Sequence, residues 1–388
     1  MAAGQKAGWC LLLALAACSG SERGGVPAGA DSVAAELPPL PRAEQVVEQA
    51  VEQRVFPGAV LAIGRRDTTV LLRGIGRTNW QGEPVDPRRT VYDVASLSKV
   101  VATTPAVMLL VEDGKLELDA PVQRYLPAFR GENKDRVTLR HLLTHTAGLP
   151  AGGDIWGPSP HLALAQAVNT PLLREPGDSS VYSDVGFIVL WAAVEKAAGE
   201  PLPELLERRV YRPLGMHSTG FHHGKPCPTC APSSPLHPAS PARLHDPVGR
   251  RLGGIAGHAG LFSTGADLAR FARMFANGGE LEGVRVFRAA TVQEFTRRPR
   301  GAGRSVTRAL GWDTPNAMRT SSAGTRMSMR AFGHTGHTGG SLWIDPERGI
   351  WAVLISNRTY NRETGEAGVQ AVRRAVNDLA AEAADAGF

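Results

Sequence analysis

The sequence predicts an α+β fold: an antiparallel sheet flanked by N- and C-terminal helices, with an all-helical domain inserted between its halves. Three observations carry this. Strand-type segments lie near both ends of the chain, helical periodicity dominates the middle, and amphipathic helices bracket the strands on both sides. With 388 residues, 43% hydrophobic and 21% charged, the chain is globular and long enough for a large core.

The elements follow in order. Val46, Val47, Ala50, Val51 and Val55 recur at helical spacing from about Ala43, and Phe56-Pro57-Gly58 ends that helix. Ala59–Ile63 and Thr69–Leu72 read as two strands joined by a turn at Gly64-Arg65-Arg66-Asp67. Asn79 to Arg89 is loop, and Val91–Ala95 leads into a long apolar run, Val100–Val111. Thr138 caps a helix that ends near Gly148, and Asp184–Ala198 has the apolar spacing of a buried helix stopped by Gly199-Glu200-Pro201. Residues 221–254 are rich in Pro, His and Arg and read as one long cover loop. A helix follows from about Asp267 to Ala276. Phe332–Gly336, Ser341–Asp345 and Ile350–Ser356 then read as consecutive strands, the last two joined by a turn at Pro346-Glu347-Arg348-Gly349, before a final helix from about Gly368 to Ala381. The expected division is a signal segment at 1–17, a tether at 18–42 and one domain at 43–388. Its sheet comes from about 55–95 and 285–380, and its helical lobe from about 110–275.

The N-terminus reads as an export signal. Lys6 precedes the short apolar stretch Trp9–Ala17, too short to span a bilayer. Leu15-Ala16-Ala17-Cys18 resembles a bacterial lipoprotein cleavage box, which makes Cys18 the lipidated residue; the alternative is an ordinary signal cleaved nearby. The expectation is an exported protein held in the envelope by acyl chains, at a periplasm-facing outer membrane. The tether, rich in Gly, Ser, Ala and Pro, fits that placement. Net charge is +6, but only Lys6, Lys99, Lys115, Lys134, Lys196 and Lys225 are lysines, and the arginines are scattered. No basic run interleaves aromatics, so nucleic acid is not an expected partner. Cys227 and Cys230 stand in a Pro-rich C-x-x-C loop beside His222 and His223. A local disulfide, free thiols and a metal site are the three readings, and export favours the disulfide.

The chemistry centres on Ser96-Leu97-Ser98-Lys99. A helix starting near Ser96 puts residues i and i+3 on one face, so the Ser96 hydroxyl and the Lys99 amine face each other. A neutral lysine there can take the hydroxyl proton and activate the serine. The plain structural alternative is a capping Ser and a solvated first-turn Lys. Two further segments can join them: Tyr182-Ser183-Asp184 at the mouth of a helix, and Gly333-His334-Thr335-Gly336-His337-Thr338-Gly339-Gly340. Three such segments in this order resemble S-x-x-K, Y-x-N and K-T-G of the serine β-lactamase and penicillin-binding-protein superfamily, in its class C and esterase-like branch. The resemblance spans about 43–380 and includes Leu142–Leu149 and Gly257–Ser263.

It implies a β-lactamase/transpeptidase-like fold, with the site between the sheet domain and the helical domain, and no cofactor. Ser96 would be the acylated nucleophile. Lys99 would be a neutral base or share its proton with Tyr182, and Tyr182 would activate the second acceptor. The backbone N–H groups of Ser96 and His337 would form the oxyanion hole. Asp184, His334, Thr335 and Gly336 would contact substrate. His245, Asp246 and His258, in the loop region before the Leu261 strand, read either as further substrate contacts or as loop and capping residues. Two positions depart from the pattern. Asp184 replaces Asn, donates nothing to a substrate amide and stabilises a charged lysine. His334 replaces Lys and weakens a carboxylate anchor. These departures point away from a true β-lactamase and are compatible with an ester, or with an amide lacking a free carboxylate beside the scissile bond. The expected substrate is a peptidoglycan-derived amide or peptide, with a small ester next. The readings from other classes are an idle wall-peptide-binding module and a redox or metal-binding lipoprotein using Cys227 and Cys230.

Overall fold

The computed structural model describes residues 38–237, 240, 242–299, 308–361 and 366–388. The expected signal segment and Cys18 lie outside these residues.

The fold is built on period-2 alternation in the central strands. In β1 (Gly58–Arg65), Val60 and Ala62 join one core while Ala59, Leu61 and Ile63 join another. The partner strand β10 (Ile350–Ser356) alternates likewise: Val353 and Ile355 face the first core, Ala352 and Leu354 the second. With β2 (Thr68–Gly76), β8 (Phe332–Thr335) and β9 (Ser341–Asp345) they form a five-stranded antiparallel sheet in the order β2-β1-β10-β9-β8. The sheet therefore joins both ends of the chain, as expected. At Gly64 a Cβ would stand 2.1 Å from the Trp351 ring, so only glycine lets that indole cross the strand, where the register also shifts.

One face is covered by α1 (Pro39–Glu52) and α10 (Glu366–Asp385), which pack on each other and on the sheet. α1 opens with proline where its missing N–H costs nothing. It begins at Pro39, so the expected tether stops short of 42.

The opposite face carries the rest. β3 (Tyr92–Asp93) leads into a 3₁₀ turn (Ala95–Leu97), a π-helical segment (Lys99–Thr103) and α2 (Thr104–Glu112). The expected regular helix at Ser96 is thus replaced by three helical forms, and Pro105 explains the middle one. It has no N–H for the Val101 carbonyl, so the helix widens: the Thr104 N–H reaches back to Lys99 O, and the buried Tyr211 hydroxyl donates to Val101 O at 3.0 Å. The helical lobe follows as α3 (Leu139–Leu143), α4 (Pro160–Asn169), α5 (Asp184–Ala198) and α6 (Leu202–Leu206). In α5 every residue from Val185 to Val194 is buried, and Gly199 ends it in the left-handed region at φ 76°.

Residues 221–254 are not one open loop. β4 (Gly220–Phe221), a Cys227–Cys230 disulfide and α7 (Pro247–Arg251) organise them, and β4 pairs with β5 (Leu261–Ser263). β3 also pairs with β5, so Tyr92–Asp93 belong to a separate three-stranded sheet and not to the main one. α8 (Gly265–Ala276) packs on β1, β9 and β10, which moves 265–276 from the helical lobe to the sheet domain. The hairpin β6 (Glu280–Leu281) and β7 (Val284–Arg285) and helix α9 (Ala289–Thr296) occupy the region from 280, so the C-terminal contribution to the main sheet starts at Phe332 rather than 285.

Candidate active site

Ser96 sits one residue after a strained backbone. Ala95 is buried at φ 48°, a region a non-glycine residue occupies only when its surroundings impose it. Those surroundings are polar and specific. The Ala95 N–H donates to Asp93 Oδ1 at 2.9 Å. Ser98, fully buried, donates to Ala95 O at 2.6 Å and accepts from the Leu261 N–H at 3.1 Å. Asp93 also accepts from the His245 N–H at 2.7 Å, and its carbonyl accepts from Thr338 Oγ1 at 2.7 Å. One acid thus ties the nucleophile turn to the 245 loop and to the segment after β8. Burial pushes its carboxyl up to about 6, against the lowering effect of the two amides.

Lys99 has no exposed surface and uses all three ammonium hydrogens. It donates to Ser96 Oγ at 3.2 Å, Asp184 Oδ1 at 2.6 Å and the His258 carbonyl at 3.1 Å. Burial acts to lower its pKa, but the Tyr182 oxygen and the Asp184 carboxylate outweigh it and the net shift is upward. Burial likewise acts to raise Asp184, and the Lys99 charge reverses this to a net lowering. The pair is therefore ionised at rest. Asp184, read from sequence as a substrate contact, is first of all the lysine's counter-ion.

Tyr182 is brought to the same place by a neighbouring loop. His145 Nδ1 accepts from the Ser183 N–H at 2.9 Å, Ser183 Oγ donates to Pro150 O at 2.6 Å, and the Asp184 N–H donates to Ala151 O at 2.8 Å. The Tyr182 ring lies 4.8 Å from Lys99 Nζ and 5.0 Å from the Arg308 guanidinium carbon. Both nearby imidazoles are neutral. Burial sends His145 well below its usual value and His334 to about 4.

Ser96, Tyr182, Asp184, His245, His258, His334, Thr335, Gly336 and His337 all line one cleft of about 490 Å³, together with Arg308. Gly336 is glycine because a Cβ would stand 2.4 Å from the Val94 carbonyl, which lets β8 close on the nucleophile turn. Among the described residues the backbone N–H groups of Ser96 and His337 have no protein acceptor. His258 differs from its expected role. Its imidazole, 2% exposed, pairs with Asp246 Oδ1 at 3.0 Å, and its backbone rather than its ring meets Lys99. The disulfide lies against Val91, Ala242, Leu244 and Phe262, away from the cleft lining, and no group of three metal-ligating side chains occurs among the described residues.

The sequence matches the Beta-lactamase family over residues 43–377. The chain belongs to the serine β-lactamase and penicillin-binding-protein-like superfamily. A curated relative from Salmonella schwarzengrund, named "Putative D-alanyl-D-alanine carboxypeptidase", is 32% identical over 306 residues, 70% of each chain. Among solved structures, EstCE1, a hydrolase with promiscuous acyltransferase activity, superposes with TM-score 0.71 at 25% identity, covering 87% of this chain and 98% of that one. A penicillin-binding protein homolog from Caulobacter crescentus gives TM-score 0.71 at 21% identity over 89% and 97% of the two chains, and shares the fold. This member of the superfamily is a serine hydrolase.

Four residues that build the hydrolase's site, three of them buried behind the cleft, were not singled out from sequence. Asp93 had a signal, an acid inside the apolar run Val91–Ala95. Ser98 and His145 lay within phrases quoted for the resemblance but had no role attached. Arg308 carries no local pattern, and only the folded chain places it in the cleft.

Proposed function

We propose that this hydrolase is anchored in the bacterial envelope and cleaves a peptidoglycan-derived peptide or amide through an acyl-enzyme on Ser96, with a D-alanyl-D-alanine carboxypeptidase or muramyl-peptide amidase activity. The observation that carries this reading is Ser96 Oγ held 3.2 Å from a fully buried, Asp184-paired Lys99 and sharing its cleft with Tyr182. The Salmonella relative's printed name supports the peptide substrate.

The charge state of Lys99 selects between the two roles open to it. An ammonium that already donates three hydrogen bonds has no lone pair to accept a proton. The Ser96 proton therefore passes to the Tyr182 oxygen, which enters the step as a phenolate, as Oγ attacks the scissile carbonyl carbon. Before the transfer the negative charge on that oxygen is stabilised by Lys99 and Arg308 on either side. The carbonyl oxygen takes its charge toward the free N–H groups of Ser96 and His337, donors worth on the order of 3 kcal/mol each. Tyr182 then protonates the leaving amine, and later takes a proton from the water that cleaves the Ser96 ester. Arg308 supplies the cleft cation that a lysine at position 334 would otherwise provide. A small ester is the second reading, favoured by His334, whose imidazole at about 4 is neutral in the working range.

Release of D-alanine from a purified pentapeptide muropeptide, beside p-nitrophenyl acetate hydrolysis, tests the reading. Wild-type protein should release D-alanine and Ser96→Ala should not. Turnover of the ester alone would replace the peptide reading with the second one, and turnover of neither by folded protein would end both. Envelope anchoring rests on Lys6, the 9–17 stretch and Cys18. Cys18→Ala should move the protein from the membrane fraction to the soluble fraction, and an unchanged distribution would remove the lipid anchor.

A further inference from the structure

The cleft shares a wall with a second cavity. The rings of His245 and His337 stack with centroids 5.3 Å apart. Both residues line the 490 Å³ cleft on one side and a cavity of about 370 Å³ on the other. Arg243, Arg250 and Arg358 line that second cavity, and among the described residues no carboxylate does.

The positive charge there is only partly compensated. Arg358 pairs with Glu366 at 2.6 Å, but the same carboxylate also serves Arg373 at 3.1 Å. The Arg358 side chain is 9% exposed, and its Nε is buried without a partner among the described residues. Arg250 uses one nitrogen on the carbonyls of Leu244 and His245, at 2.8 and 2.6 Å. Arg243 is exposed and has no side-chain partner among the described residues. Burial first, then the Arg243 charge, hold Arg250 below its usual value against the opposing pull of the Asp246 and Asp93 carboxylates. Burial foremost, with His337, Arg250 and Arg358 adding to it, takes His245 down to about 4, so the dividing wall is neutral at that position and the arginines carry the charge.

We propose that this second cavity is an anion subsite that holds a carboxylate of the substrate, remote from the scissile bond, while the reacting group lies at Ser96. Planar guanidinium groups present paired donors that match a carboxylate, and the exposed Arg243 guanidinium at the cavity lining, without a side-chain partner among the described residues, can turn its fork to one. The proposal rests on the reading of the Ser96 cleft as the catalytic one. It deepens that reading by requiring a substrate with an anion beyond the His245–His337 wall.

Mono-p-nitrophenyl suberate and its neutral methyl ester form a matched pair of probes. The wild-type enzyme should favour the carboxylate probe in kcat/KM by on the order of tenfold, the scale of one charged hydrogen bond. Arg243→Gln, at an exposed position that leaves the buried network intact, should collapse that ratio toward one. Calorimetry of methyl hydrogen suberate binding to Ser96→Ala, with and without Arg243→Gln, reads the subsite without turnover, so a failure of the catalytic reading does not hide its result. Binding that weakens severalfold in the double variant supports the subsite. A wild-type ratio near one, a ratio unchanged by Arg243→Gln, or binding indifferent to that change would overturn it.

Discussion

The two faces of the central sheet are built on opposite principles. Behind it, α1 and α10 close over Ala43, Val47, Phe56, Leu61, Leu354 and Val376, a layer held by apolar burial. In front, the same strands carry a core that also takes in Lys99, Asp93, Ser98, Thr103 and His258, each buried and each hydrogen-bonded. A buried polar group is tolerable only when its partners are fixed. The front face therefore has a specified geometry, whereas the rear face rests mainly on volume and hydrophobicity, with Asn377 and Trp343 as its hydrogen-bonded pins to Ser322. Arg373 joins the two faces: from α10 it donates to the Gly336 carbonyl at 2.6 Å, so the rear helix helps position the end of β8.

Substitutions at the two faces should separate activity from stability. The largest effect belongs to the front. Ser96→Ala should lower kcat/KM by on the order of 10⁴-fold or more while leaving the melting temperature nearly unchanged. A steady-state assay beside a thermal melt would show this, and retained turnover would break the distinction. At the rear, Phe56→Ala should cost about 3–5 kcal/mol of stability by leaving a cavity. The kcat/KM of the folded fraction should stay within about twofold; a denaturant titration and a titrated active-site count would check both.

Between these lies the Cys227–Cys230 disulfide, on the front side but away from the chemistry. It closes a separation of only three residues, so removing it by Cys227→Ser with Cys230→Ser should cost about 2 kcal/mol or less in chemical denaturation. The smallest effect is a matter of pH. The Asp93 carboxyl, raised to about 6 by burial, accepts two amides only in its ionised form. Protonation as pH falls through about 6 removes acceptor capacity behind the nucleophile turn, so kcat/KM should drop on that limb. The sign for stability is the reverse of a salt-bridged acid: the folded state holds this proton more tightly, so Asp93 costs stability above about 6 and not below its unfolded value. In Asp93→Asn the acid limb should vanish and kcat/KM at neutral pH should fall about tenfold, the scale of one lost acceptor. A limb unchanged in Asp93→Asn would assign it elsewhere, though His334 and His245, both near 4, are not candidates.

The rear face and the strands were the legible part of the sequence. Alternation in Ala59–Ile63 and Ile350–Ser356 and the helical spacing of Val46, Val47 and Ala50 are local patterns, and local patterns place secondary structure. The α5 boundaries, Asp184–Ala198, could be read because a capping Ser183 and a left-handed Gly199 mark them. The front face was legible only where short segments carried their chemistry together, as Ser96 with Lys99 or Tyr182 with Asp184. The broken helix at Ser96 was not, because the Pro105 defect is completed by Tyr211, 110 positions from the Val101 carbonyl that it caps. The placement of α8 was not legible either, since its apolar stripe would serve either domain and tertiary packing decides. Arg308 likewise reaches the cleft from a distant chain segment that no spacing announces, and the Asp246–His258 pair, though only 12 positions apart, follows no regular element's period.

The most direct test of the account is the site of covalent capture. A fluorophosphonate reacts with a serine oxygen activated for acyl chemistry, and tandem mass spectrometry of the digested adduct locates it. One adduct is expected, on the peptide containing Ser96, lost in Ser96→Ala and strongly reduced in Lys99→Ala. An adduct on another serine, or labelling that survives Ser96→Ala, would contradict the assignment of this cleft as the catalytic one.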